Sequence, residues 1–297
     1  MLDFTDLQIS ERDLLEPYLM ADGSIQSDRC FSSLYIWSEH YKLKKCIKDN
    51  FLFLRAEDEE TLLYYMPLGD GDIVKAVEYI ESDAHYHKRD YRIVLITEER
   101  KQDFEKLSNY EITEDRAEFD YIYDAEKMIN LSGKKLNGKR NFINRFLNEY
   151  QGRWVYESVS PTKHCDDILS FMREWCEHRI ENEDYKFEYS AIKLALDNWQ
   201  ALKMRGGIIK IDGKIVAFTM ATKQREDVMD ILIEKADSNY VGTYQMINNA
   251  FASLHCRECK YINREEDLGI EGLRTSKLSY QPVFLTKKYA AIPKEVR

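Results

Sequence analysis

Four charges in a row, Arg264-Glu265-Glu266-Asp267, follow the short stretch Lys260-Tyr261-Ile262-Asn263 and run into Leu268-Gly269. Carboxylates beside a guanidinium at the end of a strand can take a proton from an amine or hydroxyl, while the guanidinium neutralises the charge that develops. Glu265 and Asp267 are therefore candidate catalytic groups, and Asn263 and Arg264 candidate substrate ligands. A plain helix start would explain the acids, since Asn263 or Asp267 could cap and glutamates favour the positive end of the helix dipole. It would not explain Arg264, which that dipole disfavours. Nor would it explain Gly269 and Gly272, because each glycine weakens a helix by about 1 kcal/mol relative to alanine. The glycines predict a close approach of backbone or ligand. Lys277, one short element further on, joins the candidate ligands.

A second set opens at Tyr240-Val241-Gly242-Thr243-Tyr244-Gln245, between the strand pattern Met229 to Glu234 and the helix pattern Thr243 to His255. A strand that passes through glycine into a helix N-terminus offers free N–H groups and the positive dipole end to an anion. Gly242, Tyr244 and Gln245 thus become candidate ligands, with Asn248 lying off the apolar stripe of Met246, Ile247, Ala250, Phe251 and Leu254. Asp230 and Glu234 lie four residues apart on the strand, so period-two alternation predicts one shared face, where either could act as a general base. A third set is basic. Lys134 to Arg145 holds five cations and no acid in a chain of net charge −10, and Lys139 and Arg140 are its candidate phosphate contacts.

Other chemistries find less support. His85 and His87 fall in an expected polar loop, and no nucleophile–histidine–acid grouping can be read. Cys256 and Cys259 form a single CxxC without a second pair at zinc spacing, so no metal is expected. Cys165 and Cys176 read as core residues of a helix.

Alternating strand and helix patterns must position these groups. Phe51 to Leu54, Leu62 to Met66, Arg92 to Ile96 and Phe119 to Tyr123 read as strands, with helical spacing at Ile73, Val77 and Ile80 and a short helix at Phe104 and Leu107. In the second half, helices around Ile168–Cys176 and Ile192–Leu202 precede a hairpin, Gly207–Ile211 and Ile215–Met220, turned at Asp212-Gly213. The strand Met229–Glu234, the helix Thr243–His255, the strand Lys260–Ile262, a helix Leu268–Leu278 and the strand Val283–Leu285 complete it. The halves echo each other. The expected fold class is α/β (α+β), with two lobes in tandem, residues 1–130 and 131–297, each a mixed, largely antiparallel sheet flanked by helices. Ligands in such folds favour a cleft between lobes or a gap between splayed strands.

The 297 residues are 44% hydrophobic, ample for two cores where single domains seldom pass about 250 residues. The acidic balance argues against a general nucleic-acid binder. No apolar run approaches the roughly 20 residues of a membrane span, and Met1-Leu2-Asp3-Phe4-Thr5-Asp6 is unlike a signal peptide. The six cysteines fit a reducing compartment, so a cytoplasmic location is expected.

Strand, glycine turn, helix, strand, helix, strand, occurring twice, resembles the GNAT-type acetyltransferases. The strings Gly242-Thr243-Tyr244-Gln245-Met246-Ile247-Asn248, Tyr261 to Gly269, Lys277-Leu278-Ser279-Tyr280-Gln281-Pro282 and Cys30 to Trp37 are similar to a bacterial family related to the C-terminal domain of phosphatidylglycerol lysyltransferase. That resemblance implies a tandem acetyltransferase-like fold and an acyl- or aminoacyl-transferase. Its donor would be an aminoacyl-tRNA or an acyl-CoA as co-substrate, and its acceptor a small-molecule or lipid head-group amine or hydroxyl. The coenzyme A loop of ordinary GNAT enzymes, Q/R-x-x-G-x-G/A, matches Asn239, Gly242 and Tyr244 here, and the tyrosine would crowd a pyrophosphate. The alternatives are a coenzyme A-dependent N-acetyltransferase and a non-catalytic protein that binds a small anion.

Overall fold

In the computed structural model, residues 2–58, 60–177 and 184–294 are described, and the chain divides into two compact units. Unit 1 comprises Met1–Phe119 with Thr286–Arg297, and unit 2 comprises Asp120–Leu285. The boundary expected at 130/131 falls inside unit 2. The reason is a strand, Asp120–Asp124, that pairs with Tyr261–Asn263 and therefore belongs to the second sheet.

Unit 1 runs β1 (Thr5–Asp6), α1 (Arg12–Leu19), α2 (Phe31–Trp37), β2 (Lys44–Lys48), β3 (Phe51–Glu57), β4 (Thr61–Tyr65), β5 (Leu68–Gly69), α3 (Ile73–His87), β6 (Asp90–Ile96), α4 (Lys101–Glu105) and β7 (Tyr110–Glu114). Unit 2 continues with β8 (Asp120–Asp124), α5 (Ala125–Asn130), α6 (Asn137–Glu149), β9 (Trp154–Ser158), α7 (Pro161–Glu177) and α8 (Asp184–Asp197). Then come β10 (Met204–Ile211), β11 (Lys214–Arg225), β12 (Val228–Ala236), α9 (Thr243–His255), β13 (Tyr261–Asn263), α10 (Glu271–Leu278) and β14 (Phe284–Thr286). The last strand, β15 (Tyr289–Pro293), returns to the sheet of unit 1.

The sheet orders are β1-β2-β3-β4-β6-β15-β7, with β5 beside β3, and β14-β8-β13-β12-β11-β10-β9. Each is mainly antiparallel, and among the described pairs β4 with β6 and β12 with β13 run parallel. The crossover in each case is a helix, α3 or α9, as a parallel pair requires. In each sheet the strand from the far part of the chain, β15 or β8, sits between the last two local strands. The two mixed sheets flanked by helices agree with the expected fold class.

Local chemistry explains the elements that matter here. Asp212 and Gly213, both with positive φ (50° and 83°), form the tight turn between β10 and β11. Asp72 caps α3 by accepting the N–H groups of Val74 and Lys75. On α9, Met246, Ile247, Phe251 and Ala252 are buried, each large side chain worth about 1.5–3 kcal/mol of apolar transfer. Leu254 is exposed, so the apolar stripe ends one turn sooner than its spacing predicts. His85 and His87 lie in the last turn of α3 and not in a loop. Cys165 and Cys176 sit on α7 but are only half-buried. No described helix is long and apolar enough to cross a membrane.

Candidate active site

β12 and β13 pair over only three positions, Val228, Met229 and Asp230 against Tyr261, Ile262 and Asn263. Beyond them β12 continues to Ala236 with no strand on that side among the described residues, so the sheet of unit 2 opens into a wedge. Arg264, the first residue after β13, lies across the wedge. Its Nη2 donates to Glu234 Oε1 at 2.9 Å, and its guanidinium lies 5.0 Å from the Tyr280 ring and 5.8 Å from that of Tyr123. The other oxygen of Glu234 accepts from Asn248 Nδ2 at 3.2 Å and from Thr219 Oγ1 at 3.4 Å. A carboxylate only accepts, so Asn248 must turn its nitrogen toward Glu234 and its oxygen away. That oxygen, Asn248 Oδ1, and Arg264 Nη1 are both buried without a hydrogen-bond partner. Burial makes such groups costly, by about 1–3 kcal/mol each, unless something else satisfies them.

Asp230 does not share the face of Glu234. Thr222 pairs with Asp230 and Thr219 with Glu234, so three steps on β11 span four on β12. The extra residue is a bulge between Ile231 and Ile233, and it reverses the alternation. Period-two reading along an unbroken strand could not see it. Asp230 instead shares a face with its neighbour Asn263, and both are fully buried along with Asp120. Asn263 Nδ2 donates to Asp120 Oδ2 at 3.2 Å, while its Oδ1 accepts the N–H of Glu265 at 2.7 Å.

Glu265 is half-buried and holds a left-handed backbone, φ 54°, as does Leu268 at 52°. Strain of this kind costs about 1 kcal/mol or more per residue and persists only where the surroundings impose it. Lys277 imposes it. Its buried ammonium donates to the carbonyls of Arg264 at 2.6 Å, Glu265 at 3.1 Å and Glu266. Burial pushes the Lys277 ammonium down to about 8. Burial, with Asp230 and Glu266 adding like charge, holds the Glu265 carboxyl well above the ordinary glutamate value. Its appetite for a proton is thus raised above that of an ordinary glutamate.

Asp267 has another task. Arg274 grips it bidentately with two bonds of 2.8 Å, Tyr121 Oη donates at 2.6 Å, and the N–H of Gly269 donates at 2.9 Å. These bonds, the Arg274 pair foremost, hold its carboxyl below the usual aspartate range. Four donors on a buried carboxylate leave no room for proton transfer, so the structure sets Asp267 as the anchor of the loop rather than a catalytic group. The helix expected from Leu268 begins at Glu271. Gly269 serves the turn, with φ 73°, whereas a side chain at Gly272 would meet nothing within 4 Å.

The other candidate sets are also rearranged. A Cβ at Gly242 would lie 2.4 Å from the carbonyl oxygen of Phe142 and 3.1 Å from Cβ of Phe146. The close approach that this glycine allows is made by α6. Tyr150 Oη, just past α6, accepts the N–H of Val241 at 3.2 Å, and Tyr244 is half-buried against the same core. Gln245 is half-buried on the first turn of α9. Arg140 donates to the carbonyls of Leu131 and Gly133 and to Asn137, which spends it on its own loop. Lys139 is different: it is half-buried, 4.1 Å over the Tyr280 ring, and burial together with the Arg264 charge pushes its ammonium down. Among the described residues no group of three or more His, Cys, Asp or Glu is placed to hold a metal. A cavity of about 550 Å³ lined by Asp124, Arg257, Cys259 and Lys260 contains none of the candidate residues.

With the geometry in place, the comparisons become informative. The model of the family described as phosphatidylglycerol lysyltransferase, C-terminal, matches residues 23–292. The chain belongs to that family. A conserved protein of unknown function from Bacteroides thetaiotaomicron superposes with a TM-score of 0.91 at 37% identity, covering 99% of this chain and 100% of that one. L-PGS from Bacillus licheniformis gives 0.66 at 18% identity over 96% and 92% of the two chains. A tandem GNAT protein from the clavulanic acid biosynthesis pathway gives 0.55 at 10% over both whole chains. These last two show the fold, two GNAT-like domains in tandem. An uncharacterized protein of Mycoplasmoides gallisepticum is 27% identical over 173 residues, 57% of this chain, and this chain spans about half (54%) of that protein. Family and fold together support acyl or aminoacyl transfer in general.

The structure therefore links Glu234, Asn248 and Arg264 by hydrogen bonds, sets Lys139 over the Tyr280 ring that Arg264 also faces, and gathers Asp230, Asn263 and Glu265 at the end of β13. Sequence reasoning missed Asp120, Tyr121 and Tyr123 on β8, and Tyr280 after α10. Only the Lys277-to-Pro282 string gave any signal, and it carried no role for the tyrosine.

Proposed function

We propose that this chain transfers an aminoacyl group from an ester donor, the acceptor end of a charged tRNA, to an amine or hydroxyl acceptor at the wedge of unit 2. One observation carries the choice of donor: α6 sits on the Gly242 turn, with the Phe142 carbonyl where a ligand would have to approach. One side of the turn that receives a pyrophosphate in coenzyme A-dependent GNAT enzymes is covered by the chain itself, and Tyr150 satisfies the Val241 N–H. An acyl-CoA donor is disfavoured for that reason. The family model supports the same direction, since its description names a lysyltransferase. A lipid head group is the acceptor that description suggests, and a small-molecule amine is the alternative.

In this reading the acceptor oxygen or nitrogen attacks the ester carbonyl carbon. The acceptor proton passes to the Glu265 carboxylate as the new bond forms, and then to the ribose oxygen as the ester bond breaks. Asp230 and Glu266 raise the proton affinity that Glu265 needs for this. Arg264 meets the charge developing on the carbonyl oxygen, and Lys139 meets a phosphate near the tRNA end. Positioning by the Lys277 and Asp267 anchors contributes the rest, without a covalent enzyme intermediate. The reading places the reaction in the cytoplasm, where charged tRNA is found. Donor selection is tested by thermal shift at low salt, which preserves phosphate contacts. Aminoacyl-tRNA is expected to stabilise the protein and acetyl-CoA to leave it unchanged; stabilisation by acetyl-CoA alone would refute the reading.

A further inference from the structure

Cys256 and Cys259 take no part in the wedge, yet the fold of unit 2 sets them up as a reactive pair. Cys256 caps the C-terminal end of α9, and the N–H of Cys259 donates to its carbonyl at 3.0 Å. A turn closed by that bond brings the two Cα atoms within about 7 Å, which overlaps the span of about 4.4–6.8 Å that a disulfide bridges. The sulfurs already meet, because the Cys256 thiol donates to that of Cys259. Cys256 is fully buried in the core, whereas Cys259 is half-buried and lines the cavity of about 550 Å³. An incoming molecule therefore reaches Cys259 first, and Cys256 stands behind it to attack whatever Cys259 acquires. The bond from Cys256, helped by Lys223 and Arg205 and opposed by burial and Asp227, brings the Cys259 thiol down to about 7. The same bond and burial hold the Cys256 thiol up. The accessible sulfur thus carries the thiolate near neutral pH, where exchange is favoured. Asp124, Glu126, Arg257 and Lys260 line the same cavity. Two carboxylates and two cations complement a ligand that carries both signs, and the volume falls within the range of small-molecule sites, about 300–1,000 Å³.

We propose that Cys256 and Cys259 form a thiol–disulfide exchange site that takes small zwitterionic disulfides, those of amino acids and short peptides, from this cavity. The Cys259 thiolate attacks one sulfur of the incoming disulfide. A mixed disulfide forms, the incoming S–S bond breaks, and the departing thiolate takes up a proton. The Cys256 sulfur then attacks that of Cys259, the mixed S–S bond breaks, and the second small thiol leaves with the Cys256 proton. Two electrons pass from the protein to the incoming disulfide, leaving one Cys256–Cys259 bond and two small thiols. Cys165 and Cys176 provide the contrast. They lie at opposite ends of an eleven-residue stretch of α7, roughly 16 Å along its axis, too far apart to bridge. This chemistry is independent of the transfer reading and uses none of its residues.

The test exposes the full reduced chain at neutral pH to glutathione disulfide or to the neutral 2-hydroxyethyl disulfide. The reaction is quenched with N-ethylmaleimide and the cysteines are mapped by peptide mass spectrometry. Glutathione disulfide should produce a Cys256–Cys259 bond and leave Cys165 and Cys176 open to alkylation. Taken relative to each probe's rate with a free small thiol, it should react at least about tenfold faster than the neutral probe, the advantage of one charge-assisted contact. Cys256→Ser should stop the reaction at a stable glutathione adduct on Cys259, and Cys259→Ser should leave Cys256 a thiol. In the unmodified chain, a Cys256 and Cys259 that both stay open to alkylation would overturn the proposal. So would an adduct on Cys259 that Cys256 does not resolve, or equal relative rates for the two probes. If Cys256→Ser does not fold, the products and rates of the unmodified chain still decide.

Discussion

Gly242→Ala tests the claim that α6 occupies the anion-binding turn. Two effects add. At φ 77° an alanine pays roughly 1–2 kcal/mol for the left-handed conformation. Its Cβ would also stand 2.4 Å from the Phe142 carbonyl oxygen, about 1 Å inside ordinary contact, so α6 must move. The obstacle is backbone in the middle of a helix, not the end of a flexible side chain, and overpacking of this kind costs typically 1–3 kcal/mol. The sum is about 2–5 kcal/mol. In a unit of this size each kcal/mol lowers Tm by roughly 2–4 °C, which gives a fall of about 4–20 °C. Differential scanning fluorimetry with a urea titration would measure it. Tyr150→Phe, which removes the acceptor for the Val241 N–H, should cost about 1 kcal/mol in the same assay. A change below about 2 °C in Gly242→Ala would mean that α6 is not seated on the turn, and the argument against a coenzyme A donor would fall with it.

Asp267→Asn should lower stability at neutral pH, because the Arg274 pair needs the carboxylate. The carboxyl is held below its ordinary value, so its contribution is complete above about pH 4 and is lost as pH falls further. The difference in Tm between wild type and variant should therefore shrink in acid; a constant difference would contradict the assignment. For Lys277 the sign is opposite to that of a lysine gaining an acid. The folded chain gives up its proton near pH 8 and the unfolded chain near 10.4, so stability owed to this group rises between those values. Urea midpoints of wild type relative to Lys277→Met should show that rise, and a flat profile would refute it. Cys259, brought down to about 7 by the thiol of Cys256, should alkylate with iodoacetamide half-maximally near neutral pH while the buried Cys256 stays protected. Equal labelling of both cysteines in the native protein would contradict this.

The candidate site's densest part is legible in the sequence because it is local. Asn263 to Asp267 is one unbroken string after a strand, and its charges and glycine did not fit an ordinary helix start. The roles were less legible, because they depend on partners far along the chain. Asp267 looks like a catalytic acid until Tyr121, 146 positions away, and Arg274 are seen to saturate it. Asn263 is held by Asp120, 143 positions away, on a strand whose string Phe119 to Tyr123 reads as belonging to the first half. Charge patterns without hydrophobic alternation hid others: β2, Lys44-Lys45-Cys46-Ile47-Lys48, gives little strand signal. A bulge leaves no mark in composition, so alternation puts Asp230 and Glu234 on one face while the structure has them on two. Glycine spacing is ambiguous in a similar way. Gly242 reads as a turn open to an anion, while a helix of the same chain makes a close contact there.

The central claim is acceptor-dependent aminoacyl transfer at the wedge, with Glu265 taking the proton. Its most direct test is single-turnover transfer of a radiolabelled amino acid from charged tRNA, followed with phosphatidylglycerol vesicles or a small primary amine as acceptor. Wild type should release labelled tRNA-bound amino acid only when acceptor is present and yield labelled product. Glu265→Gln, which keeps the shape and loses the base, should slow the step by roughly 10²–10⁴-fold with donor binding unchanged. Label that stays on tRNA with every acceptor, or a Glu265→Gln rate equal to wild type, would contradict the account.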